Sequence, residues 1–205
     1  MQTPDVVNSV LFILIMVVMI YVVFKFNDYT ETKELMTITS PIDGKEYHVR
    51  NKPDGKDACI LLSTVRKNLI TLVDNLKKRY PNDPRVKNLS DRFNADMEIR
   101  ENIPKGKVTS YTLNKGEKMV FCLRQRDRND TLLDLNTIMF VALHEISHIA
   151  TESVDTDNHS QEFWDNMEFI VKEAIKDGLY TYQDYSKHPQ DYCGTQISDT
   201  PIKNV

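Results

Sequence analysis

The sequence predicts an α+β domain that follows an N-terminal transmembrane helix. Three observations support this fold class. Residues 6–24 are apolar except for Asn8 and Ser9. Two short segments, 108–113 and 118–123, have strand-like composition and flank a four-residue turn that is typical of a β-hairpin. Apolar residues recur at helical spacing in three later segments: 57–78, 132–151 and 159–176.

The apolar run at residues 6–24 is about as long as a helix must be to cross roughly 30 Å of hydrocarbon. No Lys or Arg precedes it and no small-residue cleavage site follows it, which favours an uncleaved anchor over a signal peptide. Lys25 and Lys33 lie on its C-terminal flank. By the positive-inside rule, we expect a single-pass membrane protein whose following domain lies on the cytoplasmic side.

Composition divides the chain into four parts. Residues 1–26 form the predicted anchor, and residues 27–40 are polar and without periodicity, as in a juxtamembrane linker. Residues 41–192 contain the strand-like and helical segments, which include a strand at 46–50 and a short helix at about 86–93. Residues 193–205 are polar and predict a flexible tail.

Charge and cysteine content restrict the function. The net charge of the 205 residues is −4 and the pI is about 5.7, so the basic surplus of most nucleic-acid-binding proteins is missing. The three cysteines, Cys59, Cys122 and Cys193, are odd in number and widely spaced, without a CxxC pair. We therefore expect no disulfide framework and a reducing compartment.

A metal-binding motif lies in the second half of the predicted helix 132–151. His144 and His148 are four residues apart, so both side chains face the same side of a helix. Glu145 lies between them and can reach a metal-bound water without being a ligand. The H-E-x-x-H pattern on an apolar helix is typical of zinc peptidases, in which a third protein ligand completes the site and one position stays open for water.

The third zinc ligand is expected at His159, at the start of the next predicted helix. A connection of about six residues allows this helix to turn back and face the first. The alternatives are acidic: Asp155, Asp157, Glu162 and Glu168. Asp155 and Asp157 suit the loop and the helix cap, whereas Glu168 would be the third ligand in a site like that of thermolysin.

These residues predict hydrolysis of a peptide bond. Zinc lowers the pKa of a bound water, and Glu145 accepts its proton as general base. The segment 118–123 is expected to hold a peptide substrate by main-chain pairing. Candidates for a second donor to the oxyanion are the aromatic and histidine residues of the C-terminal part: Tyr180, Tyr182, Tyr185, His188 and Tyr192.

The motif, followed by His159 and the pair Phe163-Trp164, resembles the WLM and SprT-like zinc metallopeptidases, in which HExxH is followed by His-x-x-x-Phe and often Trp. The metzincin pattern does not fit, because Thr151 and Val154 stand where it requires Gly and His. The resemblance implies a minimal zincin-like domain, with a small sheet on the motif helix and the following helix. It also assigns the three histidines to zinc and Glu145 to the general base.

Similar small membrane-anchored forms occur among large DNA viruses, so the membrane could be viral. The best-known members degrade proteins crosslinked to DNA, but the acidic charge and the lack of a zinc finger or basic tail leave the substrate open. Two other functions remain. One is a membrane-tethered structural or binding protein, for example of a virion, that retains a zinc site; the intact Glu145 argues against it. The other is a zinc amidase with a non-protein substrate.

Overall fold

The structure is a computed structural model that describes residues 4–103, 109–114, 116–126, 129–153 and 159–202. The helices are α1 (Pro4–Glu34), α2 (Gly55–Arg79), α3 (Pro84–Arg92), α4 (Leu135–Ala150) and α5 (Gln161–Lys176). The strands are β1 (Leu35–Thr39), β2 (Glu46–Arg50), β3 (Glu98–Glu101), β4 (Tyr111–Leu113), β5 (Lys118–Phe121), β6 (Gln190–Tyr192) and β7 (Thr195–Ile197).

The first five strands form one mixed sheet in the order β1-β2-β3-β5-β4. The outer pairs, β1–β2 and β4–β5, are antiparallel, whereas β3 pairs in parallel with both β2 and β5. A parallel pair needs a long crossover connection, which α2 and α3 provide between β2 and β3. Strand β4 therefore lies at an edge of the sheet, and β5 lies inside it.

Helix α2 forms the base of the core and confirms the helix predicted at 57–78. Its buried residues recur at helical spacing and pack against β2 and α4. They include Ala58, Leu62, Val65, Leu69, Leu72 and Leu76. Three basic residues in the last turn suit the negative end of the helix dipole.

Helix α4 is the most buried helix of the domain, as its apolar sequence predicted. It begins at Leu135, about one turn later than the predicted helix at 132–151. Asp134 is the cap: its Oδ1 accepts from the backbone N–H of Thr137 at 2.9 Å, and its Oδ2 accepts from the Thr137 hydroxyl at 2.7 Å. Two bonds from one carboxylate fix the start of the helix, and hence the turn on which His144 lies.

The predicted hairpin is present as β4 and β5, although residue 108 of the predicted first strand lies outside the described residues. Its turn needs Gly116, which has a φ of +115°. A Cβ at this position would lie 2.8 Å from the carbonyl oxygen of Arg92. Glycine thus lets the turn pass close to the end of α3, which holds β4 near α4.

The predicted membrane anchor at residues 6–24 is wrong. In the part of the chain that the structure describes, no helix combines the length and the apolar character that a membrane span requires. The fold class with a transmembrane helix and the localisation as a single-pass membrane protein with a cytoplasmic domain are both corrected.

Three parts of the sheet structure differ from expectation. Strand β1 lies within residues 27–40, expected to be a linker, because it pairs with β2 over its whole length. Strand β3 has the charged sequence Glu-Ile-Arg-Glu, but Ile99 is buried and the buried Glu101 accepts from Arg124 Nε at 2.8 Å. Strand β7 lies within residues 193–205, where it pairs with β6. Pairing with the neighbouring strand explains β1 and β7, whereas β3 depends on partners distant in sequence.

A disulfide bond joins Cys122, which follows β5, to Cys193, which lies between β6 and β7. The expectation that the cysteines form no disulfide is therefore wrong for this pair. The two Cα atoms are 6.3 Å apart although 71 residues separate them in sequence. The third cysteine, Cys59, is free and buried on α2. The three cysteines are therefore one disulfide-bonded pair and one buried free thiol.

Candidate metal centre

The structure brings His144, His148 and His159 together. One ligand atom of each lies within 4.8 Å of the others, and each residue is half-buried. His144 Nε2 and His148 Nε2 are 3.1 Å apart. Two nitrogens that bind one tetrahedral zinc ion at about 2.0–2.1 Å lie roughly 3.3 Å from each other. Three convergent imidazoles at this spacing fit a zinc ion.

Burial keeps His144 in the form that binds metals. Together with the neighbouring His148 and His159, burial lowers the pKa of His144 to about 3. A neutral imidazole has a free lone pair, whereas a protonated one has none. The site is thus arranged to present nitrogen lone pairs at neutral pH.

The connection between α4 and α5 sets the position of His159. Arg92 donates to the carbonyl oxygens of Ile149 and Thr151, both at 3.1 Å, and so caps the end of α4. Glu162 accepts from the backbone N–H groups of residues 152 and 153 at 2.8 and 3.1 Å. His159 itself has a φ of +24°, a conformation unusual for a residue with a side chain. Such backbone strain persists where the surroundings determine the conformation.

Helix α5 begins just after His159, at Gln161. Ser160 is its cap, and its hydroxyl accepts from the backbone N–H of Phe163 at 3.2 Å. The fully buried Phe163 ring stacks on His159 with centroids 4.2 Å apart and lies 4.5 and 4.9 Å from the rings of His148 and His144. Phe163 therefore packs against all three imidazole rings and supports their positions.

The alternative acidic ligands have other contacts or lie outside the description. Glu162 binds the two backbone N–H groups of the connection, and Glu168 pairs with Lys172 at 2.7 Å on the surface of α5. Asp155 and Asp157 lie outside the described residues. Among the residues described, the three histidines form the group that could hold a metal.

Glu145 projects from α4 into a nearly closed environment and is 5% exposed. Burial raises the pKa of its carboxyl to about 7, although hydrogen bonds from Thr112 act in the opposite direction. Thr112 Oγ1 donates to Glu145 Oε2 at 2.7 Å. A carboxyl with a pKa near neutrality exchanges protons most readily at neutral pH, as a general base requires.

Thr112 belongs to the edge strand β4, which changes the expected position of a bound peptide. We predicted pairing along residues 118–123, but β5 already pairs with β3 and β4. An added strand can pair only with an edge. Since Thr112 connects β4 to Glu145, the edge next to the motif helix is β4.

A cavity of about 250 Å³ opens beside the histidines. His144, Glu145 and His159 line it together with residues from the segment before β4, from α4 and α5, and from the C-terminal hairpin β6–β7 and the residues after it. The remaining lining residues are Thr109, Ser110, Phe140, Val141, Trp164, Met167, Tyr192, Thr195, Gln196, Ile197, Ser198 and Asp199. The segment expected to be a flexible tail is thus one wall of this cavity.

The candidates for an oxyanion donor separate into three places. Tyr192 lines the cavity, and its hydroxyl is 2.5 Å from Ser110 Oγ and donates to the carbonyl oxygen of Cys122 at 3.2 Å. Tyr180 and Tyr185 are buried around the Phe140 ring. Tyr182 and His188 line another cavity. Tyr192 is therefore placed to contact a bound substrate, with its hydroxyl already in use by the protein.

Sequence reasoning missed the residues that approach the motif from distant segments: Thr112, Ser110 and the hairpin residues after Cys193. Thr112 is 33 residues from Glu145, and no periodicity connects them. One signal was present, because the strand containing Thr112 was predicted within a hairpin. What could not be predicted is the face of the sheet on which α4 packs.

Comparison with known proteins gives a consistent result. Residues 43–203 match the family model of the WLM domain. An uncharacterized protein, R325, of Acanthamoeba polyphaga mimivirus is 31% identical over 206 residues, which cover 99% of this chain and 100% of the relative. Uncharacterized protein 136R of Invertebrate iridescent virus 6 is 30% identical over 87 residues, or 42% of this chain and 44% of the relative.

The crystal structure of Wss1 from Saccharomyces cerevisiae is also similar to this structure. The TM-score is 0.46 at 19% identity, and the match covers 63% of this chain and 88% of that one.

Proposed function

We propose that this chain, which belongs to the WLM family, is a zinc-dependent metallopeptidase that hydrolyses peptide bonds in proteins or peptides. Membership rests on the family match over residues 43–203 and on the full-length viral relative. The family has a metallopeptidase-like function. The convergence of His144, His148 and His159 beside the buried Glu145 is the observation that carries the proposal to this chain.

The three histidines would hold the ion. Their donor set, three neutral nitrogens, is that of many catalytic zinc sites and leaves a position free for water or substrate. A bound zinc ion supplies a Lewis acid that makes an adjacent water more acidic and polarises a carbonyl group. Phe163 keeps the three rings in place.

Glu145 would accept the proton of the attacking water on its carboxylate and later give it to the leaving amine. Two features of its surroundings support this role. Burial brings the pKa of the carboxyl to about 7, close to the working range of a general base. The hydrogen bond from the Thr112 hydroxyl to Oε2 holds the carboxylate in a fixed position beside the histidines.

The substrate would lie along β4 as an added strand. Edge strands recognise an extended peptide through main-chain N–H and C=O groups, which gives affinity with little dependence on sequence. Thr109 and Ser110, which precede β4, line the cavity beside the histidines. A peptide held there would pass close to Glu145.

The substitution Glu145→Gln tests the function. The full-length variant should bind one equivalent of zinc and lose cleavage of unfolded protein substrates, because an amide cannot accept the proton. Glu168→Gln is the matched control, since Glu168 is a surface residue of α5 paired with Lys172, and it should cleave like the native chain. An active Glu145→Gln enzyme would disprove the assigned role.

Two other functions predict different results. A structural or binding protein that retains the zinc site would bind zinc in both variants and cleave nothing in either. A zinc amidase would cleave no peptide library but would still lose its activity in Glu145→Gln. Trapping of substrates on the zinc-loaded Glu145→Gln variant, followed by mass spectrometry, separates proteins from other ligands. The acidic net charge argues against nucleic acid as a partner.

A further inference from the structure

We propose that the cavity beside the histidines is a subsite for one large apolar side chain of the substrate, and that the disulfide-fastened hairpin β6–β7 is its outer wall. The inference rests on the proposed function and adds the class of substrate to it. Four groups of observations lead to it: the inner wall, the outer wall, the attachment of the outer wall and the neighbouring reactive groups.

The inner wall of the cavity is apolar and rigid. Phe140 and Val141 of α4 and Met167 of α5 line it and are 6%, 7% and 1% exposed. The Phe140 ring packs edge-to-face on Tyr185, with centroids 4.7 Å apart. The inner wall comes from α4, which carries His144 and His148, and from α5, which begins just after His159, so an apolar group bound here displaces water from apolar surface beside the metal centre.

The outer wall comes from the C-terminal hairpin. Ile197 of β7 is half-buried and lines the cavity opposite the helices, and Thr195 and Gln196 extend the wall. Beyond them, Ser198 and Asp199 form a polar rim. An apolar interior with a polar rim fits a side chain such as Phe or Leu. It disfavours binding of a carboxylate side chain, which would lose its hydration there.

Several contacts attach this wall to the sheet. The disulfide links Cys193, in the hairpin turn, to Cys122 at the end of β5. The Tyr192 hydroxyl lies 2.5 Å from Ser110 Oγ, which also accepts from the backbone N–H of Cys122 at 2.9 Å. Gln125 Nε2 donates to the carbonyl oxygen of Asp191 at 2.7 Å. The two-stranded hairpin has no other sheet partner among the described strands, so its position depends on these contacts.

The reactive groups open into the same space. His144, Glu145 and His159 line this cavity, and Thr109 and Ser110 lead from it into the edge strand β4. A peptide paired with β4 points alternate side chains to one face. One side chain next to the scissile bond would then enter the apolar cavity, which makes the cavity a specificity determinant.

The single tryptophan of the chain, Trp164, lines the cavity and reports on its contents. We would load the full-length Glu145→Gln variant with zinc and titrate it with peptides of one sequence, varied at one position among Phe, Leu, Ala and Asp. Tryptophan fluorescence then gives Kd without any cleavage. We expect Phe and Leu peptides to bind at least about tenfold more tightly than Ala and Asp peptides.

Two further variants test the outer wall. Ile197→Lys should reduce the preference for Phe over Asp to less than about threefold and leave the zinc content unchanged, whereas Ile60→Lys, on the exposed side of α2, should keep the full preference. The pair Cys122→Ser and Cys193→Ser should behave like Ile197→Lys because the wall is no longer fastened. Cys59→Ser, which removes the free cysteine, is its control. Should the double cysteine variant fail to fold, the peptide preference of Ile197→Lys still tests the outer wall.

Equal binding of the four peptides, or an unchanged preference in Ile197→Lys, would overturn the subsite. Failure of the proposed function gives another pattern: the native chain cleaves none of the peptides, while the fluorescence titration still shows the apolar preference. Cleavage of all four peptides at equal kcat/KM, with equal Kd, would support the function and reject the subsite.

Discussion

Thr112 Oγ1 donates a 2.7 Å hydrogen bond to Glu145 Oε2, which connects the edge strand of the sheet to the centre of the motif helix. The two residues belong to different layers of the domain. Thr112 therefore orients the proposed general base relative to the strand on which the substrate would lie.

Replacement of Thr112 by Val should lower kcat about tenfold with little change in KM. A hydrogen bond to a charged group contributes roughly 1.5–3 kcal/mol, and the carboxylate would lose its orientation. Thr112→Ser retains the hydroxyl and should recover most of kcat. Zinc content should remain one equivalent in both variants. A fall in zinc content instead of kcat would show that Thr112 supports the metal ligands and not the base.

The substitution His159→Ala should weaken zinc binding by at least about 100-fold, because a direct ligand contributes more than the outer partners of a metal site. His188→Ala is the matched control, since His188 lines a different cavity. Competition with a chromogenic chelator measures both affinities. Retention of native affinity in His159→Ala would point to a ligand from residues 154–158.

The stability of the metal-free protein should depend on pH through Glu145. Its pKa is raised from 4.5 to about 7 in the folded state. The folded state thus binds the proton more tightly, and the associated stability is fully present below pH 4.5 and is lost as the pH rises through 7. At pH 8, burial of the charge costs up to roughly 3 kcal/mol.

Glu145→Gln removes this cost. The metal-free variant should be more stable than the native chain at pH 8, and the difference should shrink as the pH falls towards 4.5. Urea unfolding at both pH values gives the two free energies. A difference that does not vary with pH would contradict the raised pKa of Glu145.

Arg124→Met should destabilise the domain by about 3–5 kcal/mol, because the fully buried Glu101 would lose its ion pair with Arg124, and Asp54 would lose its own pair with the same guanidinium. The double variant with Glu101→Leu should recover part of this loss. Lys172→Met breaks the surface pair with Glu168 and should change the free energy of unfolding by less than about 0.5 kcal/mol. Equal effects of the two single variants would show that burial of the Arg124–Glu101 pair is unimportant.

The sequence was most informative where structure depends on neighbours along the chain. Helix α4 and the spacing of His144 and His148 follow from helical periodicity. His159 lies after a short connection, so its distance from the other two histidines was restricted by chain length. Strand β3 was not predicted, since Glu101 is acceptable in a buried strand because two distant groups bond its carboxylate: Arg124, 23 residues later, and the backbone N–H of Arg50.

Contacts between distant segments explain other differences between the predicted and the observed structure. The pairing of Cys122 with Cys193 depends on where residues 190–202 return to the sheet, which no local pattern determines. The same return turns an expected tail into a cavity wall. The N-terminal run was interpreted from its apolar character, whereas no helix among the described residues meets the requirements of a membrane span.

The disulfide also closes a covalent ring around the proposed centre. Glu145 and the three histidines all lie between Cys122 and Cys193, which are 71 residues apart. Closing a loop of this size removes about 4 kcal/mol of conformational entropy from the unfolded chain. A single cut of the backbone inside the ring, for instance between α4 and α5, would leave both pieces joined. If the proposed peptidase cut its own chain there, the disulfide would keep the three histidines in one molecule.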